Sequence, residues 1–237
     1  MKATSKMLPI LLILAQPLLT AITAAVPRAL QQTKEDLLDR PVSQFDTRPR
    51  SMREIFQLAL ESARVPGGSA VLFGCEAQEP VAIIPILTPD ATVRQALDAI
   101  VRANPAYRWE LDNGAINLLP AAGEPLLLKT RIPRFHAHGL KSISAAIDQL
   151  EQMPEVRQRM ADLGLSHGTI YFAGPVNPNP PPAFDVTCDG LSLREVLNEV
   201  ARRSTGAQYW EYHEAHCGSR NDMVIITLEN PAATSGA

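Results

Sequence analysis

Thr92-Val-Arg-Gln-Ala-Leu-Asp-Ala-Ile-Val-Arg-Ala-Asn-Pro-Ala-Tyr-Arg-Trp109-Glu110 is answered, one hundred positions later, by Ser192-Leu-Arg-Glu-Val-Leu-Asn-Glu-Val-Ala-Arg-Arg-Ser-Thr-Gly-Ala-Gln-Tyr-Trp210-Glu211. Arg94, Leu97 and Arg102 recur as Arg194, Leu197 and Arg202. The only two tryptophans, each followed by Glu, match with one residue of slip. A match at a fixed period marks two copies of one module. Each copy opens on a capping box, Thr92-x-x-Gln95 and Ser192-x-x-Glu195. There the hydroxyl takes the exposed N–H of the third helical residue and the longer side chain reaches back. Behind the caps, Val93, Ala96, Leu97, Ile100 and Val101, and then Leu193, Val196, Leu197 and Val200, make one apolar helix face each. Asn104-Pro105 ends the first helix and Gly206 the second.

Outward from these helices the rest of each module can be read. Tyr107–Leu111 and Ala115–Leu119 flank Asp112-Asn113-Gly114, a hairpin turn because Asn and Gly tolerate positive φ. Gln208–Tyr212 and Met223–Leu228 form the matching hairpin, with a longer loop. Upstream, Val42–Phe45 reads as a strand and Ser51-x-x-Glu54 as a third capping box. Its helix carries Met52, Ile55, Phe56, Ala59, Leu60 and Ala63 at helical spacing. Pro66-Gly67-Gly68 reads as the helix stop, followed by strands at Ser69–Phe73 and Val81–Leu87. In the second module Leu126–Phe135 alternates as a strand. Ile143, Ile147, Leu150 and Met153 mark a helix that Pro154 kinks or restarts, with Val156, Met160 and Leu163 continuing to Gly164. Strands follow at Thr169–Phe172 and Phe184–Thr187 around the stiff Asn177–Pro182 loop. The fold class is α+β: two tandem small modules, residues 41–120 and 126–230. Each reads strand, helix, two strands, helix, hairpin, with two helices on short mixed sheets. The linker at 120–125 is short, so the modules should touch. Residues 231–237 read as a disordered tail.

The chain has 237 residues, 46% of them hydrophobic and 20% charged, the balance of a globular protein with a real core. Net charge is -3, and removing residues 1–25 takes away Lys2 and Lys6 and leaves -5. That balance argues against nucleic acid as a partner. Lys2 and Lys6, the apolar Met7–Leu19 and the small Thr23-Ala24-Ala25 form a secretory signal over residues 1–25. Kept uncleaved, Met7–Val26 would be a membrane anchor. Either way the bulk of the chain is periplasmic or secreted.

The capped helices Thr92-Val-Arg-Gln-Ala-Leu and Ser192-Leu-Arg-Glu-Val-Leu carry a family resemblance. So do the aromatic strands Tyr107-Arg-Trp109 and Gln208-Tyr-Trp210, and the closing strands Ala115–Leu119 and Met223–Leu228. In these the chain resembles the secretin and TonB short N-terminal (STN) domain, in two tandem copies without a following pore or barrel. The first module fits best. The resemblance implies two helices packed on small mixed sheets and protein–protein contact within an export or signalling assembly.

Export makes disulfides possible. Of Cys75, Cys188 and Cys217, the pair Cys188–Cys217 would close a loop of about thirty residues, worth roughly 3–4 kcal/mol. His213-Glu214-Ala215-His216-Cys217 is the sharpest local cluster, and His213, His216 and Cys217 are candidate zinc ligands. A polar loop with a disulfide cysteine is the plainer reading of the same residues. His136 and His138, two apart, would point to one side of a strand. Trp109 and Trp210 fit as aromatics packed over their own module's helix. Arg94 with Arg102, and Arg194 with Arg202, lie eight apart near one helix face. They form either a solvated salt-bridge face or a partner-binding face. No cofactor motif occurs: there is no P-loop, no dinucleotide glycine pattern and no Gly-x-Ser-x-Gly. The expectation is a non-enzymatic protein-interaction module that binds envelope proteins. Its rival is an exported small-ligand or metal-binding protein using the His/Cys cluster.

Overall fold

The computed structural model describes residues 37–42, 50–74, 81–82, 90–167, 182–204, 209–216 and 222–227. The first half runs β1 (Arg50–Ser51), α1 (Met52–Ala63), β2 (Gly67–Gly74), β3 (Val81–Ala82), α2 (Val93–Ala103), β4 (Tyr107–Asp112) and β5 (Ala115–Pro120). The second runs β6 (Arg131–Leu140), α3 (Ile143–Glu151), α4 (Pro154–Asp162), β7 (Leu165–His167), β8 (Phe184–Ser192), α5 (Leu193–Arg203), β9 (Tyr209–His216) and β10 (Asp222–Thr227). The chain is α+β. The leader, Ser43–Phe45, Thr169–Phe172, most of the proline loop, Gly206, Cys75, Cys217 and the tail lie outside the described residues.

Local chemistry explains the helices. Ser51, Thr92 and Ser192 each accept the N–H of the third helical residue, and Glu54, Gln95 and Glu195 return the bond to the cap N–H. Met52, Ile55, Phe56, Ala59, Leu60 and Ala63 are all buried. Pro154 sits in the first turn of α4, where its missing N–H costs nothing, so the sequence restarts a helix there. Asn113 and Gly114 take φ of 47° and 81°, the left-handed pair that a two-residue hairpin turn requires.

Three expectations need correction. The Pro66-Gly67-Gly68 stop is not where α1 ends. Arg64 already turns left-handed at φ 52°, and its N–H bonds back to the Glu61 carbonyl. The two glycines instead open β2. The strand expected at Leu126–Phe135 begins only at Arg131. Leu127 and Leu128, both buried, come before it. They sit in a turn whose Leu128 and Thr130 carbonyls accept the first N–H groups of α5. Finally, β9 runs on to His216 rather than stopping at Tyr212.

The halves do not keep separate sheets. β1 pairs with β3 and β6 with β8 as two-stranded ribbons, but the other strands form one six-stranded sheet in the order β4-β5-β2-β9-β10-β7. β2 is its seam, parallel to β5 on one side and parallel to β9 over eight residues on the other. The order hairpin strand, hairpin strand, post-helix strand repeats across the sheet with strand directions reversed. That reversal is a half-turn about an axis in the sheet, so it sends the two sets of helices to opposite faces. α1 and α2 cover a core that includes Ile116, Leu118 and Tyr209. The opposite core holds Ala70, Leu119, Trp210 and Tyr212 beneath α3 and α5. β5 lies between both layers, and every one of its residues is buried.

Candidate functional site

The hairpin turn decides which way β4 presents its backbone. With Asn113-Gly114 as the two turn residues, Asp112 and Ala115 are the closing hydrogen-bonded pair. Alternation then turns the N–H and C=O of Asp112, Glu110 and Arg108 toward β5. The Ala121 N–H bonded to the Ala106 carbonyl at 2.7 Å continues that series. Trp109 and Leu111 therefore aim their backbone groups outward. Among the described residues β4 pairs with β5 alone, so this edge of the sheet is open.

The open edge lies beside a tryptophan and a line of charges. The Trp109 indole N–H donates to Asp98 Oδ1 on α2 at 2.9 Å. Arg94, Asp98 and Arg102 are four apart, hence one stripe along α2. Arg94 and Arg102 are exposed and make no ion pair among the described residues.

The corresponding groups of the second half are built alike but covered. Trp210 donates its indole N–H to Asn198 Oδ1, also at 2.9 Å, and is 0% exposed. Its ring lies against Gly68 of the neighbouring strand β2, where an added Cβ would collide with the indole. Arg194 is 14% exposed and meets three carboxylates: Glu110 directly, Asp112 at 3.6 Å and Glu124 at 2.8 Å. All three come from the first half or the linker. Arg202 pairs with Glu199 at 2.7 Å. Of the four arginines expected on one partner-binding face, Arg194 is enclosed and Arg202, itself exposed, pairs with Glu199, whereas Arg94 and Arg102 are exposed and make no ion pair among the described residues.

The two Trp-Glu glutamates brace the halves reciprocally. Glu110 on β4 meets Arg194 at the start of α5, and Glu211 on β9 meets Arg53 at the start of α1. Burial raises the Glu110 pKa, but hydrogen bonds and charges from Arg108 and Arg194 outweigh it and hold the group below its ordinary 4.5. A depressed carboxylate contributes stability that is present above the unfolded value and lost as pH falls through the folded one. Glu110→Gln should therefore cost about 1–2 kcal/mol at pH 7. The gap to the unmodified protein should narrow as pH falls below the ordinary 4.5 and Glu110 takes up its proton, read as urea midpoints across an acid series. A gap that stays constant through that series would show that the charge on Glu110 is not what stabilises.

The histidines do not converge. His213 and His216 are three apart in a strand, so their side chains leave opposite faces of the sheet. His213 lies 3.1 Å from Glu211, and His216 lies 3.0 Å from Glu214. Glu214 also takes the Tyr212 hydroxyl, and burial followed by that bond raises the tyrosine's pKa. The expected His213/His216/Cys217 ligand set is thus divided between two faces, with Cys217 outside the described residues. His136 and His138 do share one face of β6. They lie against different partners, Asp189 at 3.1 Å and Asp185 at 3.5 Å. No metal-holding group of three His, Cys, Asp or Glu occurs among the described residues. Cys188 is a buried free thiol, its pKa pushed up to about 11 by burial and by Glu199.

Sequence reading found the paired tryptophans and arginines. It missed that Asp98 and Asn198 hold the two indoles from the same helix position. The signal was present, since the two positions fall at the same place in the repeat. Compared with protein-family models, with curated proteins and with solved structures, the chain matches none.

Proposed function

We propose that this is an exported, non-enzymatic interaction module that binds another protein of a bacterial envelope assembly along the open edge β4. The observation that carries the reading is the outward-facing backbone of Trp109 and Leu111 on a strand that, among the described residues, is paired on one side only. An open edge is a ready template for an extended segment, with main-chain bonds supplying affinity and alternate side chains supplying selectivity. The leader-like residues 1–25 support export. The resemblance to STN domains, which work by protein contact, supports the same role.

The test places a photo-crosslinking residue at Arg108 on β4, and a control at Gln158 on the exposed side of α4, in the full chain inside cells. Arg108 should give a discrete adduct with one envelope protein, and Gln158 should not. Leu111→Pro should abolish the adduct. Proline there removes an N–H that faces outward, a place where edge strands tolerate it. An unchanged urea midpoint would show that the variant still folds. Equal labelling from Arg108 and Gln158, or none from Arg108, would refute the edge as the binding surface.

A further inference from the structure

Among the described residues the molecule contains one covered and one uncovered version of the same face. In the second half, helix α5 and strand β9 are covered by the first half. β2 lies parallel to β9 with Gly68 under the Trp210 ring, and first-half carboxylates close on Arg194. In the first half, α2 and β4 carry the matching groups, and the lane beside β4 holds no described strand. The exposure of matched residues follows this difference. Asn198 and Ala201 are buried, whereas Asp98 and Val101 are only partly so. Trp210 is fully buried and Trp109 half-buried. Arg194 is enclosed and Arg94 is exposed.

We infer that the lane beside β4 takes a parallel strand from a partner protein, with glycine opposite Trp109 and carboxylates that reach Arg94. This rests on the edge-binding reading and specifies its occupant. The glycine requirement follows from the indole. Trp109 is held to Asp98 as Trp210 is held to Asn198, so its ring projects over the adjacent lane. Any Cβ in that lane, opposite the tryptophan, would meet the ring as one at Gly68 would. The parallel direction follows from β2 and β9, which pair Gly68 with Trp210. The acidic character follows from Arg94 and Arg102, two cations eight helical residues or about 12 Å apart that make no ion pair among the described residues. A second copy of this chain is the competing occupant; the described residues of its other sheet edge, β7, are Leu165, Ser166 and His167 and include no glycine.

The occupant of the covered lane supplies the probe. Two synthetic peptides are compared, each with two Glu added at the end that would lie toward Arg94. One copies residues 65–74 and the other replaces its second glycine, the counterpart of Gly68, by valine. The readout is hydrogen exchange at the Trp109 and Leu111 amides of the full mature chain. Strand addition protects these N–H groups, and binding elsewhere does not. The glycine peptide should slow their exchange by about tenfold or more, as a new ladder bond does. The valine peptide should leave it unchanged, and Arg94→Glu should weaken protection by the acidic peptide. Equal protection by both peptides overturns the glycine inference and leaves edge binding intact. Protection without peptide overturns it as well. If it is independent of concentration, the chain's own residues fill the lane; if it rises with concentration, a second copy does. No protection by either peptide, with no adduct from Arg108, removes the edge-binding reading too.

Discussion

Arg53→Ala lowers the unfolding free energy by about 3–5 kcal/mol, the cost of removing one partner from a buried ion pair. Arg53 stands at the start of α1 and reaches across to Glu211 on β9, which is 1% exposed. Without the guanidinium, Glu211 keeps His213 at 3.1 Å as its described side-chain partner. Its Oε1 already accepts no hydrogen bond among the described residues. A carboxylate so placed cannot recover its water, and that uncompensated charge is the main cost. The reverse truncation is milder. Glu211→Ala leaves Arg53, whose side chain is 21% exposed and has solvent at hand. The double variant Arg53→Met with Glu211→Leu should recover most of the loss, because an apolar pair needs no compensation. Urea unfolding followed by circular dichroism measures all three. An Arg53→Ala cost below about 1 kcal/mol would mean the pair behaves as a surface salt bridge and does not brace the halves.

Gly68→Val has an effect of similar size for a different reason. Gly68 sits in the eight-residue pairing of β2 with β9, and the Trp210 ring occupies the space where a side chain would begin. Overpacking usually costs 1–3 kcal/mol because neighbours yield. Here the neighbour is an indole at 0% exposure, tied to Asn198 and covered by α5. Either the ring leaves its site or β2 separates from β9, so the cost should be about 3–5 kcal/mol, as for loss of a core tryptophan. Tryptophan emission should move to longer wavelength as Trp210 meets water. Pairing Gly68→Ala with Trp210→Phe should restore part of the stability that Gly68→Ala alone removes. An unshifted spectrum with full stability would mean that the strands adjust at no cost.

What could be read from the sequence was what neighbouring residues decide together. Three capping boxes with their three apolar helix faces, the Asn113-Gly114 turn and the restart at Pro154 each involve residues within a few positions of one another. The shared sheet was not legible, because β2 joins a partner far along the chain and nothing near Gly67 signals it. The glycines were seen but assigned to punctuation. Gly and Pro mark helix ends often enough that their other use, letting a large side chain approach a strand, is hidden until the partner is known. Arg94 and Arg194 look alike in sequence and differ only in what lies opposite. The His213–Cys217 cluster misled because ligand spacing was judged as for a loop. Once β9 extends to His216, a separation of three becomes a separation of faces.

The parallel pairing of Gly67 with Tyr209, roughly 140 positions apart, has a consequence for how the molecule comes into being. Contacts of such high sequence separation are slow to form, since the chain must close a long loop before it gains anything. While β9 is still being made, β2 waits with one side bare and with Gly67 and Gly68 offering little to hold it. The first half therefore passes through a period as an unfinished, adhesive surface, and the last strands delivered are the ones that end it. For such a protein, premature termination anywhere before Tyr209 would leave an aggregation-prone fragment rather than a smaller working one.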